Sequence, residues 1–295
     1  MSILVTGATG YIGRHLVRHL CHTENKQVVV LVRNSSDTAV LDGLPVTIIY
    51  DAEPGQLSED VNKAGVEGVI HLASWVVSAA VPDDFDRLIE ANISFGLKLL
   101  EATNKKIRWF VNTGTFWQHY QGEQYSPVNL YAAAKQAFIT LARYYQETSN
   151  LNFVTLEVYD NYGPGDDRPK LLNLWKRLAD SNDQLKMTPG HQEIDLCHID
   201  DVTRAYATMA SLLENDQKHR FNNATFSVRS GRVLSLRQLA DIFQSVSQKK
   251  LNIEWGARDY REREMLKIRD LFEAVPQWSP EVKLEEGLRE FILNE

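Results

Sequence analysis

The run Thr6-Gly7-Ala8-Thr9-Gly10-Tyr11-Ile12-Gly13 constrains this chain more than any other stretch. It follows a short strand-forming run, Ser2–Thr6, and leads into an amphipathic helical pattern over Tyr11–Cys21. Glycines placed this way build a turn that cradles a phosphate. Gly7 takes the tight turn, Gly10 leaves the backbone bare for a pyrophosphate, and Gly13 lets helix and strand close on one another. The helix N-terminus then presents free N–H groups and a positive dipole end to the anion. Thr9, Tyr11 and Ile12 complete the expected contact set.

The rest of the chain fits a sheet around that turn. Strand patterns at Gln27–Val32, Val46–Tyr50, Gly68–Leu72, Arg108–Thr113, Asn152–Val158 and Ala224–Val228 alternate with helical patterns at Phe85–Thr103, Tyr131–Ser149 and Asp200–Leu213. Val28 to Val32 is apolar without alternation, as in a strand buried on both faces. The spacing predicts an α/β fold, a Rossmann-type doubly wound parallel sheet with a smaller C-terminal α/β substrate lobe. Gly163-Pro164-Gly165-Asp166-Asp167-Arg168-Pro169 is turn chemistry and marks the change. Residues 1–162 and about 195–228 are expected to form the dinucleotide-binding domain. About 163–194 and 229–295 are expected to form the lobe.

Composition narrows the function. The net charge is −7, from 32 Lys+Arg against 39 Asp+Glu, which disfavours a nucleic-acid partner. Cys21 and Cys197 are too few for a disulfide framework or a zinc site. No apolar stretch is long enough to span a bilayer. Met1–Thr6 lacks the basic region of a signal peptide. A cytoplasmic enzyme with no metal and no membrane partner is expected.

The cofactor is read from the end of the second strand. Leu31-Val32-Arg33-Asn34-Ser35-Ser36 offers no acid for a ribose hydroxyl before Asp37. Arg33 supplies a guanidinium fork for a 2′-phosphate and Ser35 a hydroxyl, so NADP(H) is favoured over NAD. Tyr131 and Lys135 stand one helical turn apart in Tyr131-Ala132-Ala133-Ala134-Lys135. An ammonium so placed favours a tyrosinate and lets the phenol exchange a proton with a carbonyl.

These motifs together resemble the extended branch of the short-chain dehydrogenases/reductases, the nucleotide-sugar enzymes. The resemblance covers nearly the whole chain. Leu156–Gly165 is similar to the family segment LRYFNVYGPG, and Cys197–Val202 to FIHVDDV. Trp278-Ser279-Pro280 and Leu284–Leu288 are similar to its C-terminal ending.

The resemblance implies roles for several residues. Tyr131, Lys135 and Thr115 would be catalytic, and Asn92 would organise the region around the lysine. Asp51 would contact adenine, and Leu72, Ala73, Ser74 and Val158 would line the cofactor. His71 reads instead as a buried histidine bonded to backbone, and Thr113 as a lesser candidate for the catalytic hydroxyl. Packing of Phe85–Thr103 and Tyr131–Ser149 across a twofold axis would give a homodimer.

Departures from the family pattern choose among its reactions. Phe116 and Trp117 follow Thr115 where 4,6-dehydratases carry an Asp-Glu pair, and no Cys stands there as in epimerase/reductases. With Arg33 this leaves an NADPH-dependent 4-ketoreductase of an NDP-4-keto-6-deoxyhexose. Some segments resemble CDP-linked 3,6-dideoxyhexose synthases of the O-antigen type. An NDP-sugar 4-epimerase is the alternative, and a non-catalytic cofactor sensor a third. Expected substrate contacts are Trp75, Phe116, Trp117, Asp160, Asn161, Arg168, Lys170, Arg258 and Arg261, with Arg263 a further cation. Glu157 replaces the family's nucleotide-sugar arginine and is expected to bond sugar hydroxyls or amide groups.

Overall fold

The computed structural model describes residues 2–181 and 183–293. The seven-stranded sheet is parallel throughout. It contains β1 (Ser2–Thr6), β2 (Gln27–Val32), β3 (Val46–Tyr50), β4 (Val66–His71), β5 (Trp109–Thr115), β6 (Asn152–Val158) and, after a stretch described below, β10 (Thr225–Val228). Spatial order is β10-β6-β5-β4-β1-β2-β3, so the strand order reverses between β1 and β4. Ligands of open α/β sheets bind outside the carboxyl ends at such a switch point.

The sheet alternation explains the apolar runs. Val28, Val30 and Val32 face a core shared with Leu16, Val17 and Leu20 of α1 (Tyr11–His22) and with Val202, Tyr206 and Met209 of α7 (Ile199–Glu214). Val29 and Leu31 face the opposite core, with Leu57 and Val61 of α2 (Pro54–Lys63), Leu99 of α4 (Phe95–Thr103) and Phe138 and Ala142 of α5 (Leu130–Ser149). A strand covered by helices on both faces needs apolar residues at every position.

The helix expected over Phe85–Thr103 is not continuous. α3 (Phe85–Ile89) and α4 are separated by a π-helical turn, Glu90–Ser94. Asn92 causes the break: its Nδ2 donates to the Leu88 carbonyl at 3.0 Å and to the Trp75 carbonyl at 3.0 Å. A side chain competing for an i−4 carbonyl widens the helix locally.

A third core lies beyond the sheet. Tyr162 of β7 (Asp160–Tyr162) and Leu172 and Trp175 of α6 (Leu171–Ser181) pack against residues of α8 and α9. These contribute Leu239 and Phe243 from α8 (Leu236–Ser247) and Leu288 and Phe291 from α9 (Leu284–Leu293). β7, β9 (Glu193–His198) and β11 (Val233–Ser235) form a small mixed sheet over it, in the order β11-β9-β7. β8 (Leu185–Met187) and β12 (Ile253–Trp255) pair in parallel at its edge. Val275 and Trp278, expected in the lobe, return to pack in the core of the large sheet. The Trp278 indole donates to the Asp201 carbonyl at 3.0 Å.

Candidate active site

The glycine turn sits where the sheet opens. Gly7 has φ +68°, and a Cβ there would stand 2.8 Å from the Ala73 backbone nitrogen. A Cβ on Gly13 would lie 2.0 Å from the Gly7 carbonyl oxygen, so only glycine lets α1 pack this closely on the turn. Gly10 is the N-cap of α1 and supplies no side-chain cap, which leaves the first N–H groups of the helix facing the cleft. Bare backbone and an uncapped helix N-terminus suit a pyrophosphate.

Thr6 joins this turn to β4. Its hydroxyl accepts from the Ala73 N–H at 3.1 Å and contacts His71 Nδ1 at 2.8 Å. Either atom can be the donor in the second contact, according to the His71 tautomer. His71 is therefore bonded to a side chain rather than to backbone. It is fully buried, and desolvation, helped by nearby Lys135, pushes its pKa down to about 3.

At the end of β2, Arg33 and Ser35 are exposed. Arg33 forms no ion pair among the described residues. Its carbonyl accepts from the Ser36 N–H at 2.9 Å, closing a turn. The first acid after the strand, Asp37, spends a carboxylate oxygen on the Ala39 N–H at 3.0 Å. Asp51 stands at the end of β3 with its N–H on the Val32 carbonyl, 2.8 Å away.

The second half of the site is carried by α5. Asn129 caps this helix through the Ala132 N–H at 3.0 Å, which puts Tyr131 in the first turn. The same side chain donates to the Ser78 carbonyl at 3.2 Å. Tyr131 and Lys135 are both buried. Burial pushes the Tyr131 phenol up to about 12, against a hydrogen bond from Ser74. Burial pushes Lys135 down to about 8. The sequence reading expected the ammonium to govern the phenol; burial governs it instead, and Tyr131 is held protonated.

Thr115 ends β5 and caps the next turn. Its hydroxyl accepts from the Trp117 N–H at 3.4 Å, while its own N–H donates to Gln118 Oε1 at 3.0 Å. Gln118 Nε2 then reaches Gln136 Oε1 on α5 at 2.8 Å. Gln118, Gln136 and Asn129 are positioning residues that the sequence reading missed. For Asn129, a cap residue before the apolar helix was the available signal. Thr113 is engaged elsewhere, with the His71 carbonyl at 2.8 Å and the Tyr206 hydroxyl at 2.7 Å.

Toward the lobe lies a cavity of about 390 Å³, which Phe116 and Trp117 line but Thr115, Tyr131 and Lys135 do not. Phe116, Trp117, Asp160, Asn161, Lys170 and Arg261 line it, six of the nine expected substrate contacts. Lys170 Nζ is 3.9 Å from Asp160 Oδ1. Arg261 lies at the rim and pairs with Glu264 at 2.8 Å.

The other expected contacts are placed differently. Trp75 turns its ring to Arg87, with Cζ 4.4 Å from the ring centroid, and Asn92 holds its backbone. Asn92 thus serves the Trp75 loop, bonding both its N–H and its carbonyl. Arg168 lies over the Tyr11 ring at 4.0 Å, bonded to Asp166 and Asn161. Arg258 is exposed, with its N–H on the Met187 carbonyl at 3.1 Å. Arg263 reaches the Ser126 hydroxyl at 2.7 Å and the Pro127 carbonyl at 2.9 Å. Glu157 does not face the cavity. It is buried beneath Phe116 and Tyr159, and Oε1 lies 2.6 Å from His119 Nε2.

The sequence agrees with this geometry. Residues 3–224 match the NAD dependent epimerase/dehydratase family. The chain belongs to that family. It is an enzyme of the NAD(P)-dependent oxidoreductase type. Similar relatives include a CDP-abequose synthase of Salmonella muenchen, 24% identical over 99% of this chain and 97% of its own length. A GDP-6-deoxy-D-mannose reductase of Pseudomonas aeruginosa is 24% identical over 97% of this chain and 94% of its own. In fold, the chain is similar to UDP-glucuronic acid 4-epimerase from Bacillus cereus, solved with UDP-glucuronic acid and NAD. The TM-score is 0.84 at 21% identity, covering 99% of this chain and 98% of that one. Family members of this architecture use a nicotinamide dinucleotide, and the turn after β1 fits its pyrophosphate. No helix among the described residues is long and apolar enough to cross a membrane.

Proposed function

We propose that this family member reduces the C4 keto group of a nucleotide-linked 4-keto-6-deoxyhexose, with NADPH as consumed co-substrate. One observation carries the reading. The end of β2 offers an Arg33 with no ion pair among the described residues, while the first acid after the strand, Asp37, turns one carboxylate oxygen to the Ala39 N–H. A 2′-phosphate finds a cation there, and a 2′-hydroxyl finds no carboxylate. A bound nicotinamide would supply the hydride. The N–H groups at the start of α1 would hold its pyrophosphate, with Asp51 beside the adenine and Leu72, Ala73 and Val158 along its length.

The protein's part is proton transfer and orientation. Tyr131 Oη gives its proton to the sugar C4 oxygen as the carbonyl becomes an alkoxide, leaving an alcohol. The protonated phenol is the form from which a reduction starts. Lys135 would place a buried cation beside the phenolate left behind and would hold the nicotinamide ribose. Thr115 orients the reacting oxygen. Lys170 and Arg261 are the cavity's cations for the diphosphate, and Phe116 and Trp117 offer an apolar wall to the deoxy methyl group. CDP-linked sugars are the first choice, given the likeness to CDP-abequose synthase along nearly the whole chain.

The test is absorbance at 340 nm with NADPH or NADH and 4-keto-6-deoxy sugars on CDP, dTDP, GDP and UDP. NADPH oxidation with one nucleotide supports the reading. No oxidation, with NAD recovered from the purified protein, would replace it with a 4-epimerase.

We also propose a homodimer. Phe85 and Ile89 on α3 and Leu141 and Tyr144 on α5 are exposed apolar side chains on two adjacent helices, a face that a second copy would cover. Sedimentation velocity at twice the 33.6 kDa chain mass is the expected result.

A further inference from the structure

We infer that the buried His119–Glu157 pair is a proton-dependent clamp that positions Phe116 and Trp117 for the sugar. The inference deepens the reading above and rests on it for its kinetic test alone. Glu157 lies in β6 opposite Gly114 of β5, one residue before the strand's carboxyl end. His119 lies on the loop that leaves β5. Both side chains are buried, at 7% exposure or less.

The ring nitrogens face two oxygens. Nε2 is 2.6 Å from Glu157 Oε1, and Nδ1 is 3.1 Å from the Glu123 carbonyl. A carbonyl oxygen accepts only, so Nδ1 carries a proton. The short Nε2···Oε1 contact needs a second proton between its atoms. The pair therefore holds both. Loss of one would set a ring lone pair against a buried carboxylate.

The clamp reaches the cavity through the loop's own bonds. The Ser126 N–H donates to the Gln118 carbonyl at 2.9 Å, the Tyr120 N–H to the Ser126 carbonyl at 2.7 Å, and the Val128 N–H to the Trp117 carbonyl at 2.8 Å. Trp117 and Val128 are thus one rigid edge, and both line the cavity. Phe116 stacks on Tyr159 with centroids 4.7 Å apart and planes at 11°, directly above the pair. Phe272 packs edge-on against the His119 ring at 5.3 Å.

The titratable and charged groups around the pair are few. Tyr159 and Arg269 line the same small space, and Arg229 and Asp270 lie beyond Tyr159. Burial alone would depress His119, but the bond to Glu157 raises it above the ordinary histidine range. Burial raises Glu157, and His119 opposes that rise. The clamp is closed below the pair's pKa and opens as pH rises through it.

Glu157→Gln and Glu157→Leu test this. The Gln amide can donate to Nε2 while Nδ1–H stays on Glu123, so both bonds survive without a titrating proton. With the keto-sugar nucleotide that the wild type turns over, KM should climb with pH in the wild type. In Glu157→Gln it should be flat with pH and near the wild-type neutral value. Glu157→Leu should raise KM roughly tenfold at neutral pH, the scale of a lost charge-assisted bond, with NADPH affinity unchanged. An alkaline rise that persists in Glu157→Gln overturns the clamp, as does wild-type KM in Glu157→Leu. Imidazole ¹⁵N spectra of the substrate-free protein judge it separately from the proposed reaction. The expected result is a His119 titration above the ordinary range that disappears in Glu157→Gln. A His119 titrating at or below that range overturns the clamp whether or not any sugar is reduced.

Discussion

Gln118 and Gln136 meet at 2.8 Å, and through them the end of β5 is bonded to the helix that carries Tyr131, the proposed proton donor. Gln118 Oε1 accepts the Thr115 N–H, and Gln136 follows Lys135 directly. This side-chain pair therefore ties the Thr115 end of β5 to the helix of Tyr131, beside the edge-on packing of Trp117 on Tyr131. Replacing Gln136 with Met keeps the size and helix propensity and removes the acceptor. The expected loss is about 10- to 100-fold in kcat, as for a small misplacement of catalytic groups, with NADPH affinity unchanged. Steady-state kinetics beside a cofactor titration decides it.

Tyr131→Phe removes only the hydroxyl. If Tyr131 supplies the proton, turnover should fall by about 10² to 10⁴, the usual contribution of a general acid. NADPH should still bind, since the phosphate turn is untouched. Fluorescence titration and the 340 nm assay read the two halves separately. Wild-type turnover in this variant would remove Tyr131 from the mechanism.

Arg33→Ala tests cofactor choice. A guanidinium bonded to a phosphate contributes about 1.5–3 kcal/mol. KM for NADPH should therefore rise roughly 10- to 100-fold, while NADH parameters stay within about twofold of wild type. Equal losses with both cofactors would mean that Arg33 does not read the 2′ position.

The large sheet was legible in the sequence because its signals are local. Unbroken apolar runs mark strands covered on both faces, and Gly7, Gly10 and Gly13 mark the turn that steric contact with Ala73 and the Gly7 carbonyl demands. The lobe was less legible. α6, α8 and α9 are short amphipathic helices whose apolar faces have meaning only against one another. Glu157 shows the same limit. As an acid in place of a family arginine it pointed to the sugar, yet its environment is fixed by His119, thirty-eight residues away in sequence. No spacing rule links the two. The π turn at Glu90–Ser94 was hidden for a like reason, since it depends on Asn92 reaching the Trp75 backbone.

Lys135 should cost stability where it serves function. It is 1% exposed, and burial lowers its pKa from the ordinary 10.5 to about 8. In the unfolded chain the amine keeps its proton up to the ordinary value. Between about pH 8 and 10.5 the unfolded state therefore binds more protons, and this residue's contribution to stability rises with pH. Below pH 8 both states are protonated and the penalty for burying the charge is fully present. A shift of this size corresponds to roughly 3 kcal/mol, an upper figure for what Lys135 removes from stability at pH 7. Lys135→Met should therefore raise the urea midpoint at pH 7, with the gain shrinking as pH approaches 10. Turnover should be lost over the same range. A variant less stable than wild type at pH 7 would mean that the ammonium is compensated in the folded protein and that its burial carries no penalty.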